Sequence, residues 1–307
     1  MPKLSFDRYL SPESGGESSP TSPVSAPTRP TLAIEEAVRR LPPLPTMMTE
    51  LLREMGSVDA DIGALEERIS RDPTLTTRLL RMANSAFYAP AADVCAVGQS
   101  LMILGLKSAR NLVLATAMRA VLGQPRTASA GKSGGIFEHS VAVAVAASRI
   151  GSRFDELEDL EESLFVAGLL HDIGMVALAG VETAGPRVPE LHDDPDGERA
   201  VFGLDHLEVG RLVHAHWNLP DELLGPITRH HETAESLRDD RLATAIALAD
   251  AHTDHVGHGV REHEEEDTGP HERRARLAAS LGIEDGRLDD HLQDLDEEIN
   301  SFMGSLR

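Results

Sequence analysis

The chain has 307 residues, 41% hydrophobic but only 3% aromatic, enough for one large domain or two small ones around a core of Leu, Ala, Val, Ile and Met, a palette that suits helices. Its 29 basic and 51 acidic residues leave a net charge of −22, which disfavours bulk electrostatic attraction to nucleic acid or an anionic membrane. The single cysteine, Cys95, forbids an internal disulfide, and no signal-like opening or uninterrupted apolar run of about 18 residues occurs, so a cytoplasmic protein is expected.

Ser11 to Pro30 is mostly Ser, Pro, Gly, Thr and Glu, so residues 1–31 read as a disordered leader. Leu41-Pro-Pro-Leu-Pro45 fixes φ repeatedly and predicts a stiff extended link. Thr46 to Met55 then reads as a helix with Met47, Leu51, Leu52 and Met55 on one face. The next helix, capped by Asp59 or Asp61, is expected to bury Ile62, Leu65 and Ile69. Asp72-Pro73 pairs an N-cap with a proline at the first helical position, and opens a helix carrying Leu75, Leu79, Leu80 and Met82. A longer helix is predicted over Val97 to Leu122, interrupted at Gly105. No alternating strand pattern appears in this half.

Gly123 to Gly135 reads as a linker, and Ile136 to Ile150 and Leu157 to Leu170 as helices. The second runs into His171-Asp172-Ile-Gly174, with Gly174 placed to end it through a left-handed C-cap. Pro186 to Gly197 is a polar loop, His206 to Trp217 a helix, and Pro226 a kink in the segment that follows. Arg241 to His255 is the last clear core helix, and Glu262 to Asp267 an acidic linker. From Arg273 on, Leu277, Leu281, Leu288, Leu292, Leu295 and Ile299 predict one or two helices, packed on the body or mediating self-association. Two divisions of the ordered body follow, residues 32–122 and 136–258, with a tail over 259–307.

Two ionisable groups at the end of the apolar run Phe165 to Leu170 are costly to bury unless they are paired, hydrogen-bonded or ligating a metal. Candidate partners lie at helical positions in the same half: His139, His206, the pair His230-His231, and Asp250. His252, His255 and His258 read as solvated, Trp217 as core, and His214 and His216 are given no role. No GxGxxG, P-loop, Gly-x-Ser-x-Gly or CxxC pattern is present, which argues against dinucleotide, P-loop, serine-hydrolase and dithiol chemistry.

The order His139, His171-Asp172, His206, His230-His231, Asp250, with Leu169-Leu-His-Asp-Ile-Gly174 intact, resembles the HD superfamily of metal-dependent phosphohydrolases and its HD-GYP phosphodiesterases. Leu41-Pro-Pro-Leu-Pro45, Asp72-Pro73, Leu79 to Ala86 and Ser100 to Gly105 narrow the resemblance to the HDOD (HD-related output domain) family, over about Leu32 to Val256. It implies an all-α fold, a helical amino-terminal subdomain packed on an HD-type helical subdomain. It implies signalling output or scaffolding through contacts with other signalling proteins, with a nucleotide as a candidate ligand. If HD-GYP ligands carry over, His139, His171, Asp172 and Asp250 hold one divalent ion and His206, His230 and His231 a second, with Asp172 bridging; Fe, Mn or Zn suits such ligands. Three positions depart from the HD-GYP pattern. Met175 replaces a lysine, Gly135 replaces a glutamate, and no Gly-Tyr-Pro follows Glu232. The rival expectation is a metal-dependent phosphohydrolase or cyclic-nucleotide phosphodiesterase.

Overall fold

The computed structural model describes residues 29–54, 62–122, 135–181, 194–256, 258 and 269–307. Among these residues every regular element is helical, so the fold is all-α. The expectations placed on residues 1–28, Met55, Asp59, Asp61, 123–134, 186–193 and 262–267 lie outside them.

Helix α1 (Arg29–Arg39) already includes the end of the expected leader. After the proline-rich link come α2 (Thr46–Glu54), α3 (Ile62–Arg71), α4 (Pro73–Ala83) and α5 (Val97–Leu122). Periodicity decides most of their buried faces, with two exceptions: Met48 rather than Met47 is fully buried on α2, and Ile62 is 56% exposed at the start of α3. Asp72 acts as expected, its carboxylate accepting from the backbone N–H of Thr74 (2.8 Å) and Leu75 (3.2 Å). Asn84 ends α4 and pins the loop beyond it. Its amide donates to Leu80 O and Val94 O, and its Oδ1 accepts from Val94 N–H.

Gly105 breaks α5 with φ 77° and ψ 163°, a backbone that a side chain would strain. By length and composition α5 is apolar enough to cross a membrane, yet Leu112 to Ala115 and Met118 are buried within this fold. Its polar groups tie it to the second half: Lys107 Nζ lies 2.6 Å from Glu161, and Arg110 Nη1 2.8 Å from Glu162.

The second half is built on α6 (Ile136–Arg153), an Ala/Val-rich helix that packs against α7 (Glu161–Leu170), α13 (Arg241–His255) and α16 (Leu295–Leu306). The expected helix over Leu157 to Leu170 divides into a 3-10 turn, Asp155–Leu160, and α7. Short α8 (Ile173–Leu178) follows α7 at once and crosses α10 (His206–Trp217), which also meets α1. Pro195–Phe202 forms α9, so the end of the expected polar loop is helical: Pro195 starts it and Gly203 closes it at φ 82°. Pro226 does not kink its helix, because a 3-10 turn precedes α11 (Leu224–Arg229) and leaves the proline in the first turn. Helix α12 (Ala234–Leu237) leads to α13.

The tail forms three helices, α14 (Gly269–Ser280), α15 (Asp285–Leu292) and α16, rather than one or two. Leu277, Leu288, Leu292, Leu295 and Ile299 are buried, and α14 lies on α13 while α16 reaches α4, α5 and α6. The apolar face of the tail is thus covered by this chain's own body.

Candidate metal centre

Helices α6, α7, α8, α10, α11 and α13 bring all seven candidate residues together. His139 comes from α6, His171 and Asp172 from the turn between α7 and α8, and His206 from the first position of α10. His230 and His231 follow α11, and Asp250 lies on α13. All are buried except His231, which is half-buried at the edge.

Asp172 sits at the middle. Its Oδ2 lies 3.6 Å from His139 Nε2 and 3.4 Å from His171 Nε2, while its Oδ1 lies 3.3 Å from His230 Nε2 and 3.7 Å from His206 Nε2. His139 Nε2 is also 3.4 Å from Asp250 Oδ1. The ligand atoms of His139, His171 and Asp250 lie within 4.8 Å of one another, and so do those of His206, His230 and His231. One carboxylate oxygen therefore faces each trio.

The outer nitrogens are held in place. His139 Nδ1 is 3.0 Å from His258 O, His171 Nδ1 2.8 Å from Gly168 O, and His230 Nδ1 2.7 Å from Pro226 O. His206 Nδ1 is 2.7 Å from Glu198 Oε2, which also accepts from the His206 N–H. A carbonyl only accepts, so each such Nδ1 carries a proton and, in the neutral ring, the Nε2 lone pair points inward. Nε2 of His139, His171 and His230, both oxygens of Asp172 and Oδ1 of Asp250 are buried with no hydrogen-bond partner. Acceptors turned on one another in a closed interior repel unless a proton or a cation lies between them. The donor set, imidazole with carboxylate, fits a transition metal.

Titration follows this geometry. Burial lowers the pKa of His139, but Asp250 beside it and the charges of Asp172, Asp250 and Asp254 prevail and raise it to about 10. Burial lowers His230 to about 4, with His231 adding to the shift. Burial pushes Asp172 up, but His171, His230 and His206 outweigh it and hold the carboxyl well below its usual range. Asp250 is likewise lowered against burial, by His139, His171 and Arg273. Without an ion, a proton on His139 supplies the positive charge that two buried carboxylates require.

Gly174 does not cap α7. Asp172 is the N-cap of α8, and Gly174 lies in that helix, where a Cβ would stand 1.9 Å from His206 O and 2.7 Å from Gly210 N. The glycine lets α8 and α10 touch backbone to backbone, which places His206 against Asp172. His252 is buried rather than solvated, because Arg274 of the tail lies against it. His258 is half-buried and gives the centre its carbonyl. Trp217 packs partly on the core and donates to Pro42 O (3.2 Å). His214 is buried, its Nε2 3.0 Å from Pro220 O, and takes no part in the centre.

Sequence reasoning missed three contributors. Glu198 had only its helical register with buried Phe202 to mark it, and Arg273 only its position in an acidic tail. The His258 carbonyl had no signal at all, since any residue carries one.

The family model for the HDOD domain matches residues 41–233. An uncharacterised curated protein of Treponema pallidum (strain Nichols) is 22% identical over 227 residues, 71% of this chain and 43% of that protein, so the chain spans less than half the length of this relative. A crystal structure of an HDOD domain protein of unknown function from Geobacter sulfurreducens is 24% identical, with 91% of this chain and 97% of that one covered and a TM-score of 0.68. A Shewanella amazonensis SB2B protein, provisionally named a phosphohydrolase, is 25% identical over 90% of this chain and 98% of its own, with a TM-score of 0.62. A second protein of that organism, provisionally named a metal-dependent phosphohydrolase, is 17% identical over 90% and 97%, with a TM-score of 0.53, and shows the fold alone. With the family match spanning most of the helices that build the centre, the chain belongs to the HDOD domain family.

Proposed function

We propose that this chain is a bacterial, cytoplasmic signal-transduction output protein that acts through contacts with other signalling proteins and carries a two-ion metal centre. His139, His171, Asp172 and Asp250 would hold one ion, and His206, His230 and His231 the other, with Asp172 shared. One observation carries the metal reading: the two oxygens of a buried aspartate each face a separate group of inward-turned imidazoles, with no hydrogen bond to either oxygen. Mixed nitrogen and oxygen donors favour Fe, Mn or Zn over Mg, which prefers oxygen alone. Such an ion pair supplies Lewis acidity toward phosphate oxygens.

Output through protein contacts is supported by the surface and by the centre's closure. Met102 is 80% exposed and Ile103 39% exposed beside the Gly105 break, apolar side chains presented to a partner. Six of the seven candidate ligands are buried, and Met175, where the HD-GYP pattern has a lysine, is fully buried and apolar. The second reading, a phosphohydrolase acting on a nucleotide, is favoured by the complete ligand order and by half-buried His231, which leaves one side of the centre approachable.

Elemental analysis of protein purified without added metal, and again after reconstitution, tests the metal reading. About two ions per chain are expected, falling to none in Asp172→Ala, with partner binding retained by that variant. Absence of metal in both wild-type preparations would refute the reading. Metal-dependent hydrolysis of a cyclic dinucleotide by wild type, lost in Asp172→Ala, would put the second reading first.

A further inference from the structure

Arginines in this acidic chain commonly face carboxylates, as Arg110 faces Glu162 and Arg149 faces Glu298. One group differs. Arg78, Arg81 and Arg307 line an open groove of about 320 Å³ with Pro73, Thr74 and Thr77, and Arg119 of α5 adds its charge beside Arg78. Among the described residues none of these four arginines is ion-paired.

The register of α4 builds one wall of the groove. Leu75, Leu79 and Met82 turn inward and are buried, which leaves Thr74, Thr77, Arg78 and Arg81, three and four residues apart, on the outer side. At about 1.5 Å per residue that stripe runs about 10 Å. The backbone N–H groups of Thr74 and Leu75 are already held by Asp72, so the groove offers side chains rather than a helix end.

The fold keeps these like charges together. Arg119 Nη1 donates to Leu306 O (2.6 Å) while its guanidinium lies 5.5 Å from the centre of the Phe137 ring, and Arg81 Nη1 reaches Gly304 O (3.4 Å). Each of those bonds engages one nitrogen, and Arg78 makes no hydrogen bond among the described residues, so its whole guanidinium fork is open. Burial first, and then the charges of Arg119 and Arg81, lower the pKa of Arg78 against the pull of Asp72. An anion that enters the groove relieves this crowding.

The lining selects among anions. No aromatic side chain borders the groove, so a nucleobase has nothing to stack on. Guanidinium forks along a stripe of about 10 Å suit several carboxylates in succession better than one point charge, and roughly three residues of extended chain cover that length. The net charge of −22 repels a long polyanion whose charge continues past the groove, whereas a short acidic segment confines its charge to it.

Deepening the reading of output through protein contacts, and resting on it, we propose that this groove docks a short, extended acidic segment of a signalling partner. Arg78, Arg81 and Arg307 would receive its carboxylates, in the way arginine clusters take acidic motifs.

The probe is a fluorescein-labelled peptide of three Glu-Ser repeats, its affinity for the full chain read by anisotropy. Wild type should bind it more weakly as salt rises, and should not bind the analogue with Gln in place of Glu. Arg78→Ala should weaken binding by about tenfold or more, and Arg78→Lys should recover part of the loss through its retained charge. Arg276→Ala, which removes an exposed arginine of α14, should leave the affinity unchanged. No binding by wild type, or equal binding by Arg78→Ala, would overturn the proposal. So would tighter Arg78-dependent binding of inorganic phosphate or of a DNA duplex than of the peptide. A photo-crosslinker placed at Thr77 or at Met102 in the native cells separates the groove from the reading it rests on. Crosslinks from Thr77 to an acidic segment, mapped by mass spectrometry, support both. Crosslinks from Met102 alone would sink the groove and leave output through contacts standing, and crosslinks from neither position would remove both.

Discussion

Gly174→Ala is the sharpest probe of how the fold positions the centre. The added Cβ would lie 1.9 Å from His206 O and 2.7 Å from Gly210 N, both backbone atoms of α10. Real Cβ contacts essentially never fall below 3.0 Å, so the two helices must separate by more than 1 Å. No side-chain rotation relieves the clash, because the obstructing atoms are not side chain. A gap of 0.5–1 Å forfeits roughly a quarter to a half of each dispersion contact along the seam, where Ile173, Val176, Val209 and Val213 are buried. Overpacking of this kind costs about 1–3 kcal/mol, and a backbone clash belongs at the upper end. In urea, a loss of about 3 kcal/mol with a slope of about 3 kcal/mol/M lowers the unfolding midpoint by about 1 M. The same shift carries His206 away from Asp172, so the His206 side of the centre should lose metal affinity. Gly304→Ala is the control: nothing lies within 4 Å of the added atom, and a helical Gly→Ala change there should be neutral or stabilising by up to about 1 kcal/mol. A Gly174→Ala protein with the wild-type midpoint, slope and metal content would refute the close crossing of α8 and α10.

Asp72→Ala removes the two backbone bonds that begin α4 and should destabilise the fold by about 0.5–2 kcal/mol; an unchanged denaturation midpoint at unchanged slope would contradict it. Glu198→Gln keeps the shape beside His206 Nδ1 but removes the charge, and should lower metal affinity by about 10–100-fold in competition with a chromophoric chelator. In the chelated protein, burial holds His230 at about 4, so below its unfolded pKa of about 6.5 the unfolded chain takes up the proton first. Stability should therefore fall as pH drops from about 6.5 to 4, by up to about 3 kcal/mol, and the lowered Asp172 and Asp250 extend the loss at lower pH. His139, raised to about 10, acts in the opposite sense: its contribution is complete below about 6.5 and is lost as pH rises toward 10. Urea midpoints across this range should fall on both sides, and a flat profile would show that the two histidines do not titrate differently on folding. Metal binding needs neutral His139, so uptake near pH 7 should release about one proton from it, read from calorimetry in buffers of different ionisation enthalpy.

Helix identity was legible because it rests on local chemistry, whereas His139, His206, His230, His231 and Asp250 were picked out beside His171-Asp172 by the order they share with the HD superfamily. Asp72-Pro73 begins a helix whatever surrounds it, and Gly105 breaks α5 because only the backbone at that residue must adopt a positive φ. His171-Asp172 announced itself because an apolar run makes ionisable groups there costly without partners. The partners of those groups were a different matter. The acceptors that turn His171, His230 and His139 inward are the carbonyls of Gly168, Pro226 and His258, which every residue type possesses. Glu198 and Arg273 reach the centre through the packing of α9 and α14, long-range placements on which their own segments are silent. Gly174 shows the division within one residue. The sequence by itself determined that a glycine follows the His-Asp pair and that helices flank it. Only the tertiary structure decided whether that glycine serves a left-handed turn or a close crossing, because the atom it must avoid, His206 O, belongs to a helix 32 residues further along the chain.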